Sequence, residues 1–445
     1  MIFLARGFLD SLFASVGRRR AARTSAVMGL FLLAGSTLLA DAQQQQMTWD
    51  QVKAQFEADN PALKADADNV AELKAAEVTA HLRPNPTLSM TLDQTYPFAT
   101  HYDPNIQTSR FRPLSDSLTT GYISYLHERD GKRNLRLQSA QEGTRVGQSQ
   151  HEDLERNLLF TLRSAFVQTL EAKTVLDVAK ADLEYYDKII AVSRERFRTG
   201  DLAKIDLDRI ELLRVQYESE MQSAMVNLRT QKIQLLQLMN ARIAPDNFDV
   251  LGSYDFTEAM PQLDDVHQQA LAARPDLQAA LQAVQQARTN HKLAVANGST
   301  DPTYEVDGGN NPPLGPYMGV NIQIPLRLFD RNQGEKQRTQ IDIDRNQHLA
   351  DAATAQVFSD VDTSYEGVRS SVALLKPYKG QYLDQATRVR DTVTYAYMHG
   401  GASLMDFLNA QSDYRVVQLA YVQLVGSYLV AAAQLNLSVG REVLP

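Results

Sequence analysis

The chain contains no cysteine among its 445 residues. Disulfide bonds, thiolate metal sites, a cysteine nucleophile and a lipid-modified N-terminal cysteine are therefore all excluded. Aromatic residues make up only 8% of the chain, and the apolar residues are spread along helical stripes. This composition favours an elongated helical protein over compact lobes. Its stability must come from helix packing or from assembly.

A basic face and the common catalytic motifs are also missing. The net charge is -8, and Lys and Arg are interleaved with Asp and Glu. A nucleic-acid-binding protein would carry a basic face, so we expect no nucleic-acid partner. Because the sequence contains no phosphate loop, HExxH motif or nucleophile and base constellation, we predict no enzyme activity and no cofactor. Met398 and His399 form an adjacent pair of soft ligands, but a metal site needs three or four ligands, so we predict no metal site.

Residues 1–42 have the pattern of a signal peptide. Arg18 to Arg20 and Arg23 precede an apolar run from Ala26 to Gly35, and small residues follow up to Ala42. This order is typical of a secretory signal, with cleavage after Ala42. The less favoured alternative is a short membrane anchor, because the apolar run is below the ~18 to 20 residues of a spanning helix. The mature chain is expected to be exported.

Long apolar runs are absent after the signal peptide. Charged residues, Gln or Asn interrupt each remaining run within a few residues, so we expect no membrane-spanning helix in the mature chain. An exported protein without such a helix is soluble, or it enters a membrane as a closed β-barrel.

One long sequence pattern occurs twice. Asn60-Pro61 opens an Ala-rich helical run that ends at Asn85-Pro86, and Arg274-Pro275 opens a similar run that ends at Asp301-Pro302. Each run leads into a short alternating stretch and then into a long helical pattern with one glycine turn. Repetition on this scale predicts two tandem structural repeats. We place them at residues 43–250 and 251–445.

Four short segments alternate between apolar and polar residues. The clearest is Met318 to Ile324, where Met, Val and Ile alternate with Gly, Asn and Gln. Together the segments predict β-hairpins at about 86–127 and 302–325. Such alternation suits a strand between lipid and water, and it suits equally a half-buried hairpin in a soluble protein. Four strands cannot close around a pore, so membrane strands would have to be pooled from several chains.

The rest of the pattern is helical. From about Leu135 to Arg198 there is no proline, and apolar residues recur every three or four positions, which predicts a helix about 90 to 100 Å long. A second stripe after Gly200 predicts an antiparallel coiled-coil hairpin. The second repeat turns at Gly400, and Pro377 should kink or break its descending helix. The fold class is mainly α with a small β part, arranged as a hollow tube wall, a solid bundle or an extended coiled coil.

These features, in this order, resemble the TolC-like outer-membrane efflux proteins, also called outer membrane factors. The resemblance covers essentially everything after the signal peptide. It rests on five segments: Asn60–Leu63, Leu82–Pro86, Gly131–Arg133, Arg196–Gly200 and Tyr397–Gly400. It implies a homotrimer in which each protomer gives four strands to a twelve-stranded outer-membrane β-barrel. The long helices would form a periplasmic α-barrel.

The resemblance also implies location and partners. The expected location is the cell outer membrane, with an extension into the periplasm. The expected partners are outer-membrane lipid, a periplasmic adaptor (membrane fusion) protein and an inner-membrane transporter, contacted directly or indirectly.

In the family, the two glycine turns form a periplasmic tip that opens and closes. Asp206 and Asp406 each lie six residues after their glycine, at the position of tip aspartates, and Tyr397 occupies the position of a gating tyrosine. Three copies of one aspartate would form a ring that favours cations. A Tyr397 hydroxyl could bond Asp206 of a neighbouring hairpin. The chain departs from the TolC pattern at two positions: Ala402 stands where an arginine would complete the gating network, and Asn409 where a second aspartate would double the ring. These departures predict a weaker latch and a single ring. Helix N-capping is the alternative role of both aspartates.

Two functions fit the sequence. The first is a passive outer-membrane exit duct of a tripartite efflux or secretion system, exporting small molecules, metal ions or secreted products. The second is a soluble periplasmic coiled-coil scaffold or adaptor without a pore. The four strands and the wet faces of the helical wall discriminate between them.

Overall fold

The computed structural model describes residues 45–93, 100–105, 107–111, 117–312 and 314–444. The signal peptide expected at 1–42 lies outside these residues. The described chain is mostly helical with few strands, as the sequence predicts.

The N-terminal half contains two short helices and two long ones. They are α1 (Trp49–Asp59), α2 (Pro61–His81), α3 (Lys132–Thr199) and α4 (Lys204–Leu238). Its strands are β1 (Gln45–Met47), β2 (Thr87–Asp93), β3 (Thr100–Asp103), β4 (Thr108–Phe111), β5 (Leu118–Leu126) and β6 (Phe248–Val250), the last preceded by a 3₁₀ turn at Pro245–Asn247.

The C-terminal half has the same order of a helix pair, strands and long helices. Its elements are α5 (Leu263–Ala273), α6 (Pro275–Asn297), β7 (Thr303–Asn311), β8 (Gly315–Gln323), α7 (Gln333–Pro377), a π-helical turn (Tyr378–Tyr382), α8 (Leu383–Met398) and α9 (Leu404–Val439).

The Asn-Pro and Arg-Pro pairs of the sequence are helix starts. The Asn60 side chain accepts hydrogen bonds from the Ala62 N–H (2.9 Å) and the Leu63 N–H (3.1 Å), and Pro61 is the first residue of α2. Such a cap satisfies backbone donors that have no partner inside the helix, and proline suits the first helical position. Arg274 is the N-cap residue of α6, but its side chain makes no hydrogen bond to the helix end. Its guanidinium instead binds Asp276 (2.6 Å) and Asp360 (2.8 Å).

The long helices follow the predicted course. Helix α3 has 68 residues and is therefore about 100 Å long at ~1.5 Å per residue. Helix α7 ends at Pro377, and the chain continues through the π-helical turn into α8. Proline has no N–H and its ring crowds the preceding turn, and a π turn is one way in which a helix absorbs such an interruption. The α-helix is therefore interrupted after Pro377, as predicted, but by a π-helical turn through which the chain stays helical.

Helix α9 bears on the expectation that no helix after Ala42 spans a membrane. Among the described residues, it is the one helix that is long and apolar enough to do so by length and composition alone, so the expectation stays a prediction. The helix also contacts α3, α7 and α8, and its Val425 and Leu435 are fully buried. A helix that packs against three neighbours needs apolar residues on most of its surface, which explains its composition.

A four-stranded antiparallel sheet joins the two halves in the order β2-β5-β7-β8. In one row across it, Leu88 pairs with Ile123, Ile123 with Val306, and Val306 with Val320. These four side chains are 72%, 55%, 53% and 75% exposed. The next row, on the opposite face, is polar: Thr87, Ser124, Glu305 and Asn321. The sheet is therefore amphipathic, and no described element covers its apolar face.

The β2–β5 pair differs from a simple hairpin. A separate antiparallel pair, β3–β4, lies in its connection. Sequence alone predicts a loop for this connection, because its Pro, Asp, Ser and Thr residues are typical of turns. Beside the middle of α3, β1 pairs with β6, where the Leu251 N–H donates to the Met47 carbonyl at 2.9 Å.

A buried ion pair fixes the sheet to the long helices. Lys132, at the start of α3, is 3% exposed. Its ammonium donates to the Asp301 carboxylate at 2.6 Å and to the Ser299 carbonyl at 3.1 Å. Asp301 directly precedes the β7 region and also accepts the Arg129 N–H at 2.9 Å. The pair therefore links the first half of the chain to the second where helices meet strands.

Replacing Lys132 by methionine should destabilise the protein strongly. The substitution leaves the Asp301 carboxylate partly buried without its cation, which costs about 3 to 5 kcal/mol. Denaturant unfolding of the detergent-solubilised protein, followed by circular dichroism, measures the change. Lys188→Met is the control, because the Lys188–Glu184 pair is 71% exposed on both sides and should contribute less than about 1 kcal/mol. Equal effects of the two variants would contradict the role of the Lys132 pair.

Candidate functional site at the helical tip

The two glycine turns are built alike. Gly200 has φ +89° and Gly400 has φ +78°, a left-handed conformation that glycine adopts without strain. The Asp201 N–H donates to the Arg196 carbonyl at 2.8 Å, and the Gly401 N–H donates in the same way to the Ala396 carbonyl at 2.8 Å. Each turn thereby satisfies carbonyls at the end of its helix and sends the chain back antiparallel.

The two helical hairpins pack against each other beside these turns. The contact is a buried cluster, here called the tip core, with residues from all four helices: Tyr186, Ile189, Ile190, Ile210, Tyr397, Leu404 and Phe407. Tyr397 stacks on Phe407 with ring centroids 4.9 Å apart and planes 21° apart. The tip core therefore holds both turns together within one chain.

Tyr397 belongs to the tip core and is 4% exposed. Its hydroxyl makes no hydrogen bond to the described residues. Burial is the main cause that raises the pKa of the phenol, and the negative charge of Asp206 raises it further, against the lowering effects of Ser193 and Arg196. Asp206 is thus near Tyr397 in the same chain without bonding it. A Tyr397–Asp206 bond between protomers stays a prediction.

Arg196 is the tip residue whose part the sequence reasoning missed. It lies on the first hairpin and donates from Nη1 to the Tyr397 carbonyl at 2.9 Å, with its guanidinium carbon 5.2 Å from the centre of the Tyr397 ring. Ala402 stands where the TolC pattern has an arginine. In this chain Arg196 contacts the tyrosine from the other hairpin.

Asp406 is exposed and is not the N-cap of α9. Ser403 is the N-cap, and its hydroxyl accepts the Asp406 N–H at 3.1 Å. In return, Asp406 Oδ2 accepts the Ser403 N–H at 3.2 Å and the Ser403 O–H at 2.7 Å. The alternative prediction that Asp406 is the N-cap of α9 is wrong, because the turn extends three residues beyond Gly400 and the helix begins after Ser403. Asp406 instead completes a capping box.

Asp206 lies at the equivalent position in the first turn of α4, but it forms no capping box. The residue before α4 is Ala203, which has no side chain that could bond the helix end, so the N-cap alternative for Asp206 is wrong as well. Asp206 is half-buried. The two tip aspartates therefore differ in their surroundings, although both lie in the first turn of a helix.

Asp406, Asn409 and Asp413 are all exposed along α9. Steps of three and four residues place them on one side of the helix. Asn409 replaces the second aspartate of the family pattern, but a carboxylate returns one turn later at Asp413. Asp413 is not among the residues predicted from the sequence.

The Met398-His399 pair has local contacts. Met398 packs against the tip core, and the His399 ring lies 4.1 Å from the Tyr395 ring with its Nδ1 2.8 Å from the Tyr395 carbonyl. Within the described part of the chain, no group of three or more possible metal-binding side chains is found.

The fold is that of the outer-membrane channel proteins. The outer membrane protein VceC from Vibrio cholerae superposes with a TM-score of 0.69 at 15% identity, covering 89% of this chain and 97% of that one. The MtrE outer membrane channel from Neisseria gonorrhoeae gives 0.69 at 16% identity, with 89% of each chain covered. CusC gives 0.70 at 14% identity, with 88% and 92% covered.

Sequence comparison agrees with the fold. Residues 266–441 match the family model described as outer membrane efflux protein, and the predicted resemblance to the TolC-like outer-membrane efflux proteins is confirmed. It is 20% identical to the cobalt-zinc-cadmium resistance protein CzcC from Cupriavidus metallidurans, covering 85% of this chain and 86% of the relative. It is 22% identical to the outer membrane efflux protein BepC from Brucella suis, with 74% of each covered.

These matches define location and class. The chain belongs in the cell outer membrane, with an extension into the periplasm. The relatives and structural neighbours reported above are named for resistance, efflux or channels, which are transport roles and not enzyme activities.

Proposed function

We propose that the chain forms a homotrimeric, passive exit duct of a tripartite efflux or secretion system. The observation that carries this proposal is the amphipathic sheet. One row of apolar side chains across it is uncovered in the single chain: Leu88, Ile123, Val306 and Val320. In a soluble scaffold, a half-buried hairpin would pack this row against other elements. An apolar outer face and a polar inner face suit a barrel strand between lipid and water.

The edges of the sheet support the trimer. In the order β2-β5-β7-β8, strands β2 and β8 each have one neighbour among the described strands. Inside a membrane every backbone N–H and C=O group needs a partner, so an open edge is excluded. Pairing β2 of one copy with β8 of the next satisfies both edges. Three copies then close a barrel of twelve strands, within the range of known outer-membrane barrels.

The helices support the same assembly. Near the tip, contacts join α4 to α3, α3 to α9 and α9 to α8, so α4 and α8 are the outer helices of this row. Helix α4 exposes four apolar residues in register with a seven-residue period: Ile205, Leu212, Val226 and Ile233. Such a stripe is the seam of a coiled coil and calls for a helix partner. Helix α8 of the next copy would supply it and close a helical tube.

The cargo and partners follow from the family. Export of small molecules, metal ions or secreted products would be powered by an inner-membrane transporter and coupled through a periplasmic adaptor. CzcC is named for cobalt, zinc and cadmium resistance, which supports metal ions as one cargo class. The alternative remains a soluble scaffold without a pore.

Membrane extraction and bilayer recording test the duct. The mature chain should be found in outer-membrane fractions, run as a trimer in native mass spectrometry from detergent, and give discrete conductance steps in planar bilayers. A chain that is soluble and monomeric in the periplasmic fraction, with no conductance, would establish the scaffold instead.

Replacing Asp406 by alanine should weaken block of the duct by divalent cations. If three Asp406 carboxylates surround the axis, their removal should weaken the block about tenfold, which corresponds to ~1.4 kcal/mol of lost attraction. Single-channel recording with a divalent salt measures this. Asp406→Asn is the control, because its amide oxygen can still accept the Ser403 bonds while the charge is gone. If only the alanine variant changes the block, Asp406 acts through helix capping and not through its charge.

A further inference from the structure

A cluster of charged side chains lies inside the contact between the two helical hairpins, several helical turns away from Gly200 and Gly400. Asp182 of α3, Glu220 of α4 and Arg415 of α9 meet there, and their side chains are 18%, 31% and 24% exposed. Ion pairs on the outer surface of the same helices are much more open, such as Lys188–Glu184 at 71%. The cluster therefore belongs to the packing between the hairpins.

One guanidinium serves two carboxylates in this cluster. Arg415 Nη2 pairs directly with the Glu220 carboxylate, whereas Arg415 Nε lies 3.7 Å from Asp182 Oδ2. Asp182 Oδ2 and Glu220 Oε2 are both enclosed, and neither makes a regular hydrogen bond to the described residues. Because Glu220 is the carboxylate in direct contact with the guanidinium, the negative charge of Asp182 is the less well compensated of the two.

The other neighbouring groups compensate the negative charge of Asp182 only weakly. The guanidinium of Arg415 lies 5.2 Å from the centre of the Tyr217 ring, and the Tyr217 and Tyr186 ring centroids are 4.1 Å apart. From α8, Arg390 attracts Asp182 more weakly. The Arg390 guanidinium is engaged elsewhere, at 4.0 Å from the centre of the Tyr414 ring and in a 2.8 Å hydrogen bond to Asp391.

The charge balance makes Asp182 sensitive to pH. Burial is the main cause that raises the pKa of Asp182 to about 6, and Glu220 adds to it while Arg415 and Arg390 lower it. Burial also raises the phenol pKa of Tyr186 and Tyr217, so both phenols stay neutral near neutral pH. A raised carboxyl pKa means that the packed state favours the protonated form. The packed hairpins are therefore favoured as the pH falls through about 6 and are opposed by a buried charge above it.

We propose that Asp182, Glu220 and Arg415 form a pH-sensitive clamp between the two helical hairpins, which holds them together more tightly in mildly acidic than in neutral surroundings. The clamp acts within one chain. Only its effect on flow through the tip rests on the proposed function.

Hydrogen exchange measured by mass spectrometry tests the clamp in the full-length solubilised protein. Wild type and Asp182→Asn are compared at about pH 7.5 and at about pH 5, on either side of the Asp182 pKa. Because both proteins are measured at the same pH, the intrinsic pH dependence of exchange cancels. At the higher pH, peptides from α4 and α9 around the cluster should exchange several-fold faster in wild type than in Asp182→Asn. At the lower pH the difference between the two proteins should be smaller, because pH 5 lies between the ordinary carboxyl pKa of 3.8 and the raised pKa of about 6, where the penalty for the buried charge is partly relieved.

Two further variants sharpen the result. In Glu220→Gln, Asp182 is the one carboxylate of the cluster that remains to pair with Arg415, so hydrogen exchange at the higher pH should also be slower than in wild type. This variant tests the clamp if Asp182→Asn does not assemble. Glu218→Gln is the control, because Glu218 is an exposed carboxylate on the same helix paired with Arg214, and it should behave as wild type. A wild-type to variant ratio that is the same at both pH values would overturn the clamp. Exchange requires no pore, so this outcome is independent of the duct.

Discussion

Replacement of Val320 by lysine should remove most of the protein from the outer membrane. Val320 lies in the exposed apolar row of the sheet, where it pairs with Val306 and is 75% exposed. If this face contacts lipid, a charged residue near the middle of the membrane costs about 2 to 4 kcal/mol. In a trimer the substitution enters the barrel three times, so the effect on assembly should be large.

The neighbouring residue provides a matched control. Asn321→Lys introduces the same side chain one position later, on the polar face opposite Glu305, where water or the carboxylate can accommodate it. Quantitative immunoblotting of outer-membrane fractions, together with the amount of trimer on native gels, compares the two variants. Equal loss in both variants, or in neither, would mean that the apolar face does not contact lipid.

Replacement of Phe407 by alanine should separate the hairpins at the tip. Phe407 is fully buried in the tip core, with the Tyr397 ring centroid at 4.9 Å and the Tyr186 ring centroid at 6.5 Å. Removing a buried phenylalanine ring costs about 3 to 5 kcal/mol. The loss falls on the contact between the hairpins, so the tip should open more readily and single-channel conductance should rise.

Phe197 offers the comparison for this variant. It lies on the first hairpin three residues before Gly200, but it is 40% exposed and belongs outside the tip core. Phe197→Ala should therefore change conductance and thermal stability much less. A Phe407→Ala protein with wild-type conductance and wild-type thermal stability would show that the tip core does not hold the hairpins together.

The strands show how far local pattern predicts structure. Alternation at Met318 to Ile324 predicted one apolar and one polar face, and the pairing register confirms it across all four strands. That result follows from the two-residue period of a strand, which is local. The β3–β4 pair was missed because its residues are typical of turns, and the apolar composition of α9 was underestimated because packing against three helices makes most of its surface apolar.

The tip residues show which features local sequence patterns do not predict. The glycine turns depend on a backbone conformation that the sequence indicates directly. The surroundings of Tyr397 cannot be predicted in this way, because its burial depends on Phe407 and on Arg196, which is distant in sequence. Likewise, the N-cap of α9 depends on where the turn ends, and Ser403 takes the place first given to Asp406.

The sequence by itself determined the long helices, their glycine turns, the interruption after Pro377 and the two faces of each strand, because each depends on the spacing of residues close together in the chain. The tertiary structure alone decided that β5 pairs with β7, that Arg196 reaches Tyr397 and that one arginine, Arg415, serves both Asp182 and Glu220. These contacts join residues far apart in the chain, and their geometry is set by how the packed helices and paired strands fit together.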